Sequence, residues 1–485
     1  MTLPGTVPRL PALVHPLLRT FVDDATVVRE TVDRFGSPLH VVFPAVLAEN
    51  LQQLREVLDG MQHTICYAHK VNQSSALVRE ALAHGISVDV ASAAELAHAI
   101  GCGFPENRVE VTGPKGLAFL AEILKARATI NVDNLWELEQ VAALAADQGA
   151  DQGPPRPRVL LRITAPEPEA GRIARVSRFG ITRAEAVAAL TTLARHRGLL
   201  DFLGFSFHVD SGDVRDRLRA IQTCLVLTES AYAHGLTPRV LDIGGGLRQR
   251  FTDNPDAYED YLTQMRQGLT SRGPALTWAG NTLGLTVDGE AVRGTPVFHK
   301  YGNAQTAAGS LRELLDADLP GHSGRPIRQL LRDAMLELWL EPGKGLADQS
   351  GVTVASVEFV KQLANGSTLV TLDISRDTIT PADQEVMLDP LVVRRNPSRG
   401  AAVGAFLAGR LCLERDLVFT HTTYLDGLPD PGDLVVFPNT AAYQMDLSAS
   451  QASMHPRPVR VAAVRTGSGF AICRDADYRA TAGQR

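Results

Sequence analysis

Five stretches of the chain carry side chains whose types and spacing could do chemistry together. Lys70 follows the apolar run Ile65, Cys66, Tyr67, and Asn72 and Gln73 lead into a helix expected from Ser74 to His84. A lysine ending a buried run sits at the mouth of a fold, where desolvation lowers its pKa and frees the amine as a nucleophile toward a carbonyl. The plain alternative is a surface lysine at a strand end. Gly244, Gly245 and Gly246 follow Leu241, Asp242 and Ile243. With no Cβ in the way their amides can approach an anion, though a tight strand-to-helix turn would use the same residues. The run matches neither a GxGxxG fingerprint nor a Walker loop. His208 and Ser211 offer an imidazole able to lie flat on a heteroaromatic ring and a hydroxyl able to meet a phosphate; a lone histidine is more often structural. Glu341, Pro342, Gly343, Lys344 supplies a carboxylate that would keep a facing ring nitrogen protonated, followed by a glycine and a cation suited to phosphate. An exposed glutamate is the bland reading. Far off, Cys412 carries a thiol that is mostly protonated at neutral pH, with a reference pKa of ~8.5, and so could return a proton. Free cysteines are more often buried and inert, and Asp373 and Tyr443 share that ambiguity.

The elements that must position these groups read as a parallel sheet with crossover helices. Short apolar runs recur at Ile65 to Tyr67, Ile86 to Val90, Val109 to Thr112, Thr129 to Val132, Val159 to Ile163, Phe202 to Phe207, Val240 to Ile243 and Leu336 to Leu340. Helical stretches rich in Ala, Leu and Glu separate them. Eight such units predict a (β/α)8 barrel, and polar or glycine residues stand at nearly every strand end, where barrel chemistry collects. A doubly wound sheet gives the same alternation but not polar ends all the way round. The span of about 275–327 exceeds one crossover and reads as an elaborated loop on the active face, a lid, an oligomer contact or a disordered insertion. After Gly345 the segments become short and β-branched, predicting a C-terminal β domain over 347–485. The barrel takes 46–346, and the extension 1–45, with a strand from Leu39 to Phe43, joins one domain or the other.

At 485 residues the chain exceeds the roughly 250 to 300 at which a single core stops growing. Hydrophobic residues at 45% and charged residues at 21% are ordinary for a soluble enzyme, and no apolar run approaches the ~20 residues of a membrane helix. Pro4, Pro8, Pro11 and Pro16 interrupt the N-terminus, which argues against a signal peptide and for a cytoplasmic location. Five widely spaced cysteines with no CxxC pair indicate neither a disulfide framework nor a metal site. A net charge of −6 gives no reason to expect nucleic acid or anionic membrane. Small-molecule chemistry is left.

Taken in order, these residues resemble the fold-type III pyridoxal-phosphate-dependent decarboxylases, the group of diaminopimelate, ornithine and arginine decarboxylases. The resemblance runs from about Gly36 to Pro458. It rests on Tyr67-Ala68-His69-Lys70-Val71-Asn72 against YAxKAN, on Asp89-Val90-Ala91-Ser92 with Glu95, on Ser177-Arg178-Phe179-Gly180-Ile181 against SKFGI, on the triple glycine and on Glu341-Pro342-Gly343. It implies an alanine-racemase-like, TIM-like barrel and pyridoxal 5′-phosphate held by Lys70 as an internal aldimine. His208 would stack on the ring, Glu341 pair with its nitrogen and Arg162 lie near its phenolic oxygen. Ser211, Gly245, Gly246, Gly343, Lys344 and Tyr443 would hold the phosphate. It further implies a homodimer with shared active sites, in which Cys412 or Lys70 returns a proton while Asp373 and Glu414 meet the substrate, with Asp210 beside them. The sequence departs from the family at Asp210, where glycine is usual, at Lys344 for arginine, and at Cys412-Leu413-Glu414 for C-E-S. The loss of the acidic residue to Leu413, with the long loop, points away from diaminopimelate and toward another amino acid or an amino-acid conjugate. Related barrels racemise alanine, but they place arginine where this chain has Glu341. A regulator that had lost its chemistry would not need Lys70, His208, Glu341 and Cys412 together.

Overall fold

The computed structural model describes residues 7–148, 156–164, 177–322, 324–381, 386–396, 400–447 and 449–480. Strand β1 (Leu39–Val42) comes first. It is followed by β2 (His63–Ala68), β3 (Ser87–Val90), β4 (Val109–Val111), β5 (Thr129–Val132), β6 (Arg158–Arg162), β7 (Asp201–Ser206) and β8 (Val240–Asp242). A hairpin of β9 (Thr286–Asp288) and β10 (Ala291–Arg293) precedes β11 (Glu337–Leu340), which pairs in parallel with both β8 and β2. That pairing closes an eight-stranded barrel, β2 to β8 and then β11. The eight apolar runs supply its eight strands. They are nearly continuous in hydrophobicity because barrel side chains on one face and crossover helices on the other bury both sides.

The helices begin where polar residues can take up their free amides. Ser74 Oγ accepts from Leu77 N–H at 3.1 Å to start Ser75–Ala83, and Thr182 with Glu185 forms a capping box at Arg183–Arg195. Such caps are worth about 1 kcal/mol each. Larger still is burial: Leu77, Val78, Leu120, Ile123, Leu190 and Leu193 are all buried against the barrel, at roughly 1.5–3 kcal/mol per large side chain.

The C-terminal sheet contains β12 (Gly351–Gln362), β13 (Thr368–Leu372), β14 (Leu391–Val393), β15 (Val403–Ala408), β16 (Thr423–Leu425), β17 (Leu434–Phe437), β18 (Val459–Thr466) and β19 (Gly469–Arg474). Strand β1 lies inside this sheet, antiparallel to β12 and parallel to β18, so the chain starts in the β domain and then enters the barrel.

The long connection before β11 is more ordered than its sequence suggests. Besides the hairpin it holds a helix, Ala307–Asp316, capped by Thr306 and burying Leu311, Leu314 and Leu315 in the barrel core. Its apolar stripe is too short to stand out after the glycine-rich stretch before it. Upstream, Trp278 N–H donates to the Thr420 carbonyl at 2.9 Å and its ring meets Phe406 edge-on at 5.2 Å, which docks the insertion on the β domain. Among the described residues no helix is long and apolar enough to cross a membrane.

Candidate active site

Strand β2 stops at Ala68, and a single 3-10 turn over His69–Val71 carries Lys70 off its end. Both sides of the turn are fixed. Tyr67 Oη donates to the Asn72 carbonyl at 2.9 Å, Asn72 Nδ2 donates to the Ala441 carbonyl at 2.9 Å, and Tyr443 N–H donates to the Val71 carbonyl at 2.8 Å. Lys70 therefore stands on a base built jointly from barrel and β domain. Tyr443 itself has φ 68°, a left-handed conformation that a bulky residue takes only when its surroundings hold it there.

The Lys70 ammonium lies 3.5 Å from Asp89 Oδ2. Thr112 Oγ1 donates to the other oxygen of Asp89 at 2.6 Å, and Oδ2 has no hydrogen-bond partner among the described residues. The sequence argument expects burial to lower the lysine pKa. The structure overturns that expectation: burial does oppose the charge, but Asp89 and then Glu341 outweigh it and hold the ammonium above the ordinary lysine value. Lys115 is a useful contrast. Its ammonium meets Glu137 Oε2 at 3.2 Å, the Asn131 carbonyl at 2.7 Å and the Gly113 carbonyl, so its donors are spent on structure.

Lys70 opens onto a cavity of about 220 Å³. His208 and Glu341 line one part, Gly245, Gly246, Gly343 and Lys344 another, and Tyr443 and Leu447 reach in from the β domain. His208 Nδ1 accepts from Gly245 N–H at 3.2 Å. Burial, with Lys70, Arg162 and Arg217 adding repulsion, holds its pKa down to about 3, so the ring is a neutral flat surface at physiological pH. Gly244 and Gly246 have φ of 65° and 70°, and a Cβ on Gly246 would lie 2.5 Å from the Val209 carbonyl oxygen. Only glycine makes this turn. Arg217, from the helix Val214–Ala233, lies buried behind it, donating to the carbonyls of Val209 at 3.0 Å and of Gly245.

Beneath Glu341 lie two further buried carboxyls, Glu110 and Asp242, and one oxygen from each of the three lies within 4.8 Å of the others. Asp242 Oδ1 accepts from Gly244 N–H at 2.8 Å, and Glu110 Oε1 accepts from Asn131 Nδ2 at 3.0 Å. Burial first, then the neighbouring carboxylates, push Glu341, Asp242 and Glu110 well above the usual carboxylate range. Each of the three therefore favours its neutral form more than an ordinary carboxyl does. A folded-state pKa raised above the unfolded one gives stability that is present below pH ~4.5 and lost as pH rises, by up to about 1.4 kcal/mol per pH unit for one proton. Glu110→Gln keeps the acceptor for Asn131 and removes that loss. Its melting temperature is expected to fall less steeply than the wild type's between about pH 5 and pH 8. Parallel pH profiles in calorimetry would show that Glu110 holds no proton.

Other residues singled out in the sequence stand at varied distances from the cavity. Arg162 ends β6 with Nη1 3.8 Å from Asp133 Oδ1 and its guanidinium 4.6 Å from the Phe179 ring centre. Ser211 is exposed just beyond His208, where its Oγ accepts from Asp213 N–H at 3.2 Å. Asp210 is exposed at the cavity rim, 3.4 Å from Lys344 Nζ. Asp373 Oδ1 accepts from Ser356 N–H at 2.8 Å within the β domain, and Cys412 and Glu414 are exposed on the loop after β15. None of those last three lines the cavity. Asp89, Asp242 and Glu110 were not among the candidate site residues, although an acidic residue inside an apolar strand, as at Glu110, is itself a signal that something buried needs it.

The donor set fits pyridoxal phosphate. An amine for its aldehyde, a buried carboxyl for its ring nitrogen, a flat neutral imidazole and a glycine turn beside a lysine share one cavity of suitable size.

Comparisons with known proteins agree. The family model for the pyridoxal binding domain of pyridoxal-dependent decarboxylases matches residues 45–279. An uncharacterized protein of Sinorhizobium fredii, y4yA, is 32% identical over 447 residues, covering 90% of each chain. Diaminopimelate decarboxylase of Vibrio cholerae is 26% identical over 89% of this chain and 88% of its own. Among solved structures, the arginine decarboxylase of Paramecium bursaria Chlorella virus superposes with a TM-score of 0.67 at 18% identity, covering 90% of this chain and all 100% of that one. Diaminopimelate decarboxylase of Helicobacter pylori, complexed with L-lysine, gives 0.66 at 18% identity over 92% and 96%. With the barrel, the lysine and its partners in place, the chain belongs to the fold-type III pyridoxal-phosphate-dependent amino-acid decarboxylases, and pyridoxal 5′-phosphate is its cofactor.

Proposed function

We propose that this enzyme removes the α-carboxylate of an amino acid or amino-acid conjugate other than diaminopimelate. The observation that carries the reading is the shared cavity in which Lys70 and the buried Glu341 carboxyl stand with the neutral His208 ring. Pyridoxal phosphate, when bound, supplies the electron sink for the bond that breaks. Lys70 must shed a proton before it can act as a nucleophile, and Asp89 Oδ2, at 3.5 Å, is the base within reach. Glu341, backed by Asp242 and Glu110, holds the proton needed at the ring nitrogen. His208 supports the ring face without bringing a competing charge. Lys344, the amide of Gly246, Gly343, Ser211 and Tyr443 would hold the phosphate, the Gly245 amide being taken by His208, and Arg162 would stand near the phenolic oxygen.

The β domain of a second copy completes the site in this reading. Cys412, exposed and away from the cavity of its own protomer, returns a proton to the substrate carbon across the interface, with Asp373 and Glu414 meeting the substrate. Leu413, half exposed where diaminopimelate decarboxylases carry an acidic residue, supports a substrate without diaminopimelate's distal ammonium.

Carbon dioxide release is to be measured with a panel of amino acids and their conjugates, diaminopimelate included, alongside the oligomeric state by light scattering. Release from a panel member other than diaminopimelate by a dimer is the expected result. Turnover of diaminopimelate above all others would refute the substrate reading, and an active monomer would refute the shared site.

A further inference from the structure

The glycine end of the cavity carries an anion of its own. Asp210 lines it together with Gly245, Gly246, Gly343 and Lys344. Its backbone lies against the turn, since a Cβ on Gly246 would stand 3.2 Å from Asp210 Cα. Asp210 Oδ2 is 3.4 Å from Lys344 Nζ and 3.7 Å from Lys300 Nζ. Burial works against the carboxylate, but Lys344 and then Lys300 outweigh it and hold the pKa below the ordinary aspartate value, so Asp210 is charged at neutral pH. Lys344 shows the converse: burial lowers its pKa, and Asp210 supports the charge. The backbone that presents this lysine is fixed, because the Lys344 carbonyl accepts from Gln249 Nε2 at 3.3 Å and Gln249 also donates to Asp348 Oδ1 at 3.0 Å. Only the side chain is left to choose between partners, and it already has a carboxylate. Its ammonium lies 5.6 Å from the Tyr443 ring centre, and a Cβ on Gly343 would stand 3.1 Å from Tyr443 Oη, so the same few ångströms hold every group expected to meet the phosphate from this side.

We propose that Asp210 is an internal competitor for Lys344, which weakens the grip of the site on the phosphate of pyridoxal phosphate. The inference rests on the reading above that the phosphate sits at the glycine turn. The chain departs from its family at both residues, with aspartate for glycine and lysine for arginine. A guanidinium presents five donors in a wide fork and can serve two anions on separate edges, whereas an ammonium is a compact point charge that two anions must divide. Lys344 therefore gives up part of its contact with Asp210 when it turns to a phosphate. With the Lys300 ammonium beside it in either case, Asp210 presents little net charge to the phosphate itself, and the penalty comes through Lys344. The hold on the cofactor then falls more heavily on Lys70.

Binding of pyridoxal phosphate and of pyridoxal, which lacks the phosphate, to the apoprotein is to be followed by absorption and by quenching of protein fluorescence. Asp210→Asn is expected to lower the dissociation constant for pyridoxal phosphate about threefold and to leave that for pyridoxal unchanged. The gain should shrink as salt rises and vanish in the Lys344→Ala background, where no ammonium is left to contest. Weaker or unchanged binding of pyridoxal phosphate by Asp210→Asn, or an equal shift for both ligands, would overturn the assignment. So would a gain of the same size in the Lys344→Ala background, since the carboxylate would then act on the phosphate directly. Lys344→Ala by itself separates the two levels. If it fails to distinguish the ligands, the phosphate is elsewhere and the site reading falls; if it distinguishes them and Asp210→Asn does not, only the role of Asp210 falls.

Discussion

Lys70→Ala is expected to lower turnover on the order of 10⁴-fold and to abolish covalent attachment of the cofactor. Treating the wild type with borohydride should fix a pyridoxyl group on the peptide that contains Lys70; the variant should yield none. The size of the effect follows from the geometry. Lys115 is committed to Glu137 and to backbone carbonyls, whereas Lys70 projects into the cavity. The substitution also leaves Asp89 buried without its cation, so the carboxyl should take up a proton and rise further in pKa. Cofactor held by its phosphate can still enter the variant, which keeps loss of anchoring distinguishable from loss of binding. Full labelling of another lysine, or unchanged turnover, would remove Lys70 from the mechanism.

Glu341→Gln is expected to cost about 10²- to 10³-fold in kcat with a much smaller change in KM. An amide keeps the shape of the side chain and can still donate a hydrogen bond, but it has no acidic proton to give to a ring nitrogen. Asp242 and Glu110 lie too deep to replace it, since the side chains lining the cavity include Glu341 and neither of the other two. The variant should also shift the absorption of the bound cofactor toward its unprotonated ring, a readout that a simple packing defect would not produce. A fall in kcat with no spectral change would mean that Glu341 acts by packing alone.

Much of this arrangement is legible in the order of residues along the chain. Eight apolar runs of strand length, nearly all closed by glycine or a polar residue, specify alternating β and α units, and the period of hydrophobicity does not depend on distant contacts. Lys70, His208, the triple glycine and Glu341 are visible because each interrupts a buried run at its carboxyl end. Glycine at 244 and 246 reflects a backbone conformation, and only glycine accepts it without strain.

Other features depend on what the fold brings together. The charge state of Lys70 is not legible in the sequence: its burial follows from local pattern, but the two carboxylates that reverse the effect of burial arrive from β3 and from the end of β11. The helix Ala307–Asp316 was hidden by its length and by its glycine-rich neighbourhood. Strand β1 could not be assigned to a domain because its partners, β12 and β18, lie more than three hundred residues downstream.

The sequence by itself determined the repeating units and the polar or glycine residues at the strand ends, since these depend on residue type and short spacing. The tertiary structure alone decided which charges face one another: Asp89 at Lys70, Asp242 and Glu110 beneath Glu341, Lys300 and Lys344 on Asp210. Electrostatic interaction falls off with distance through space and strengthens as water is excluded, and neither quantity can be read from separation along the chain.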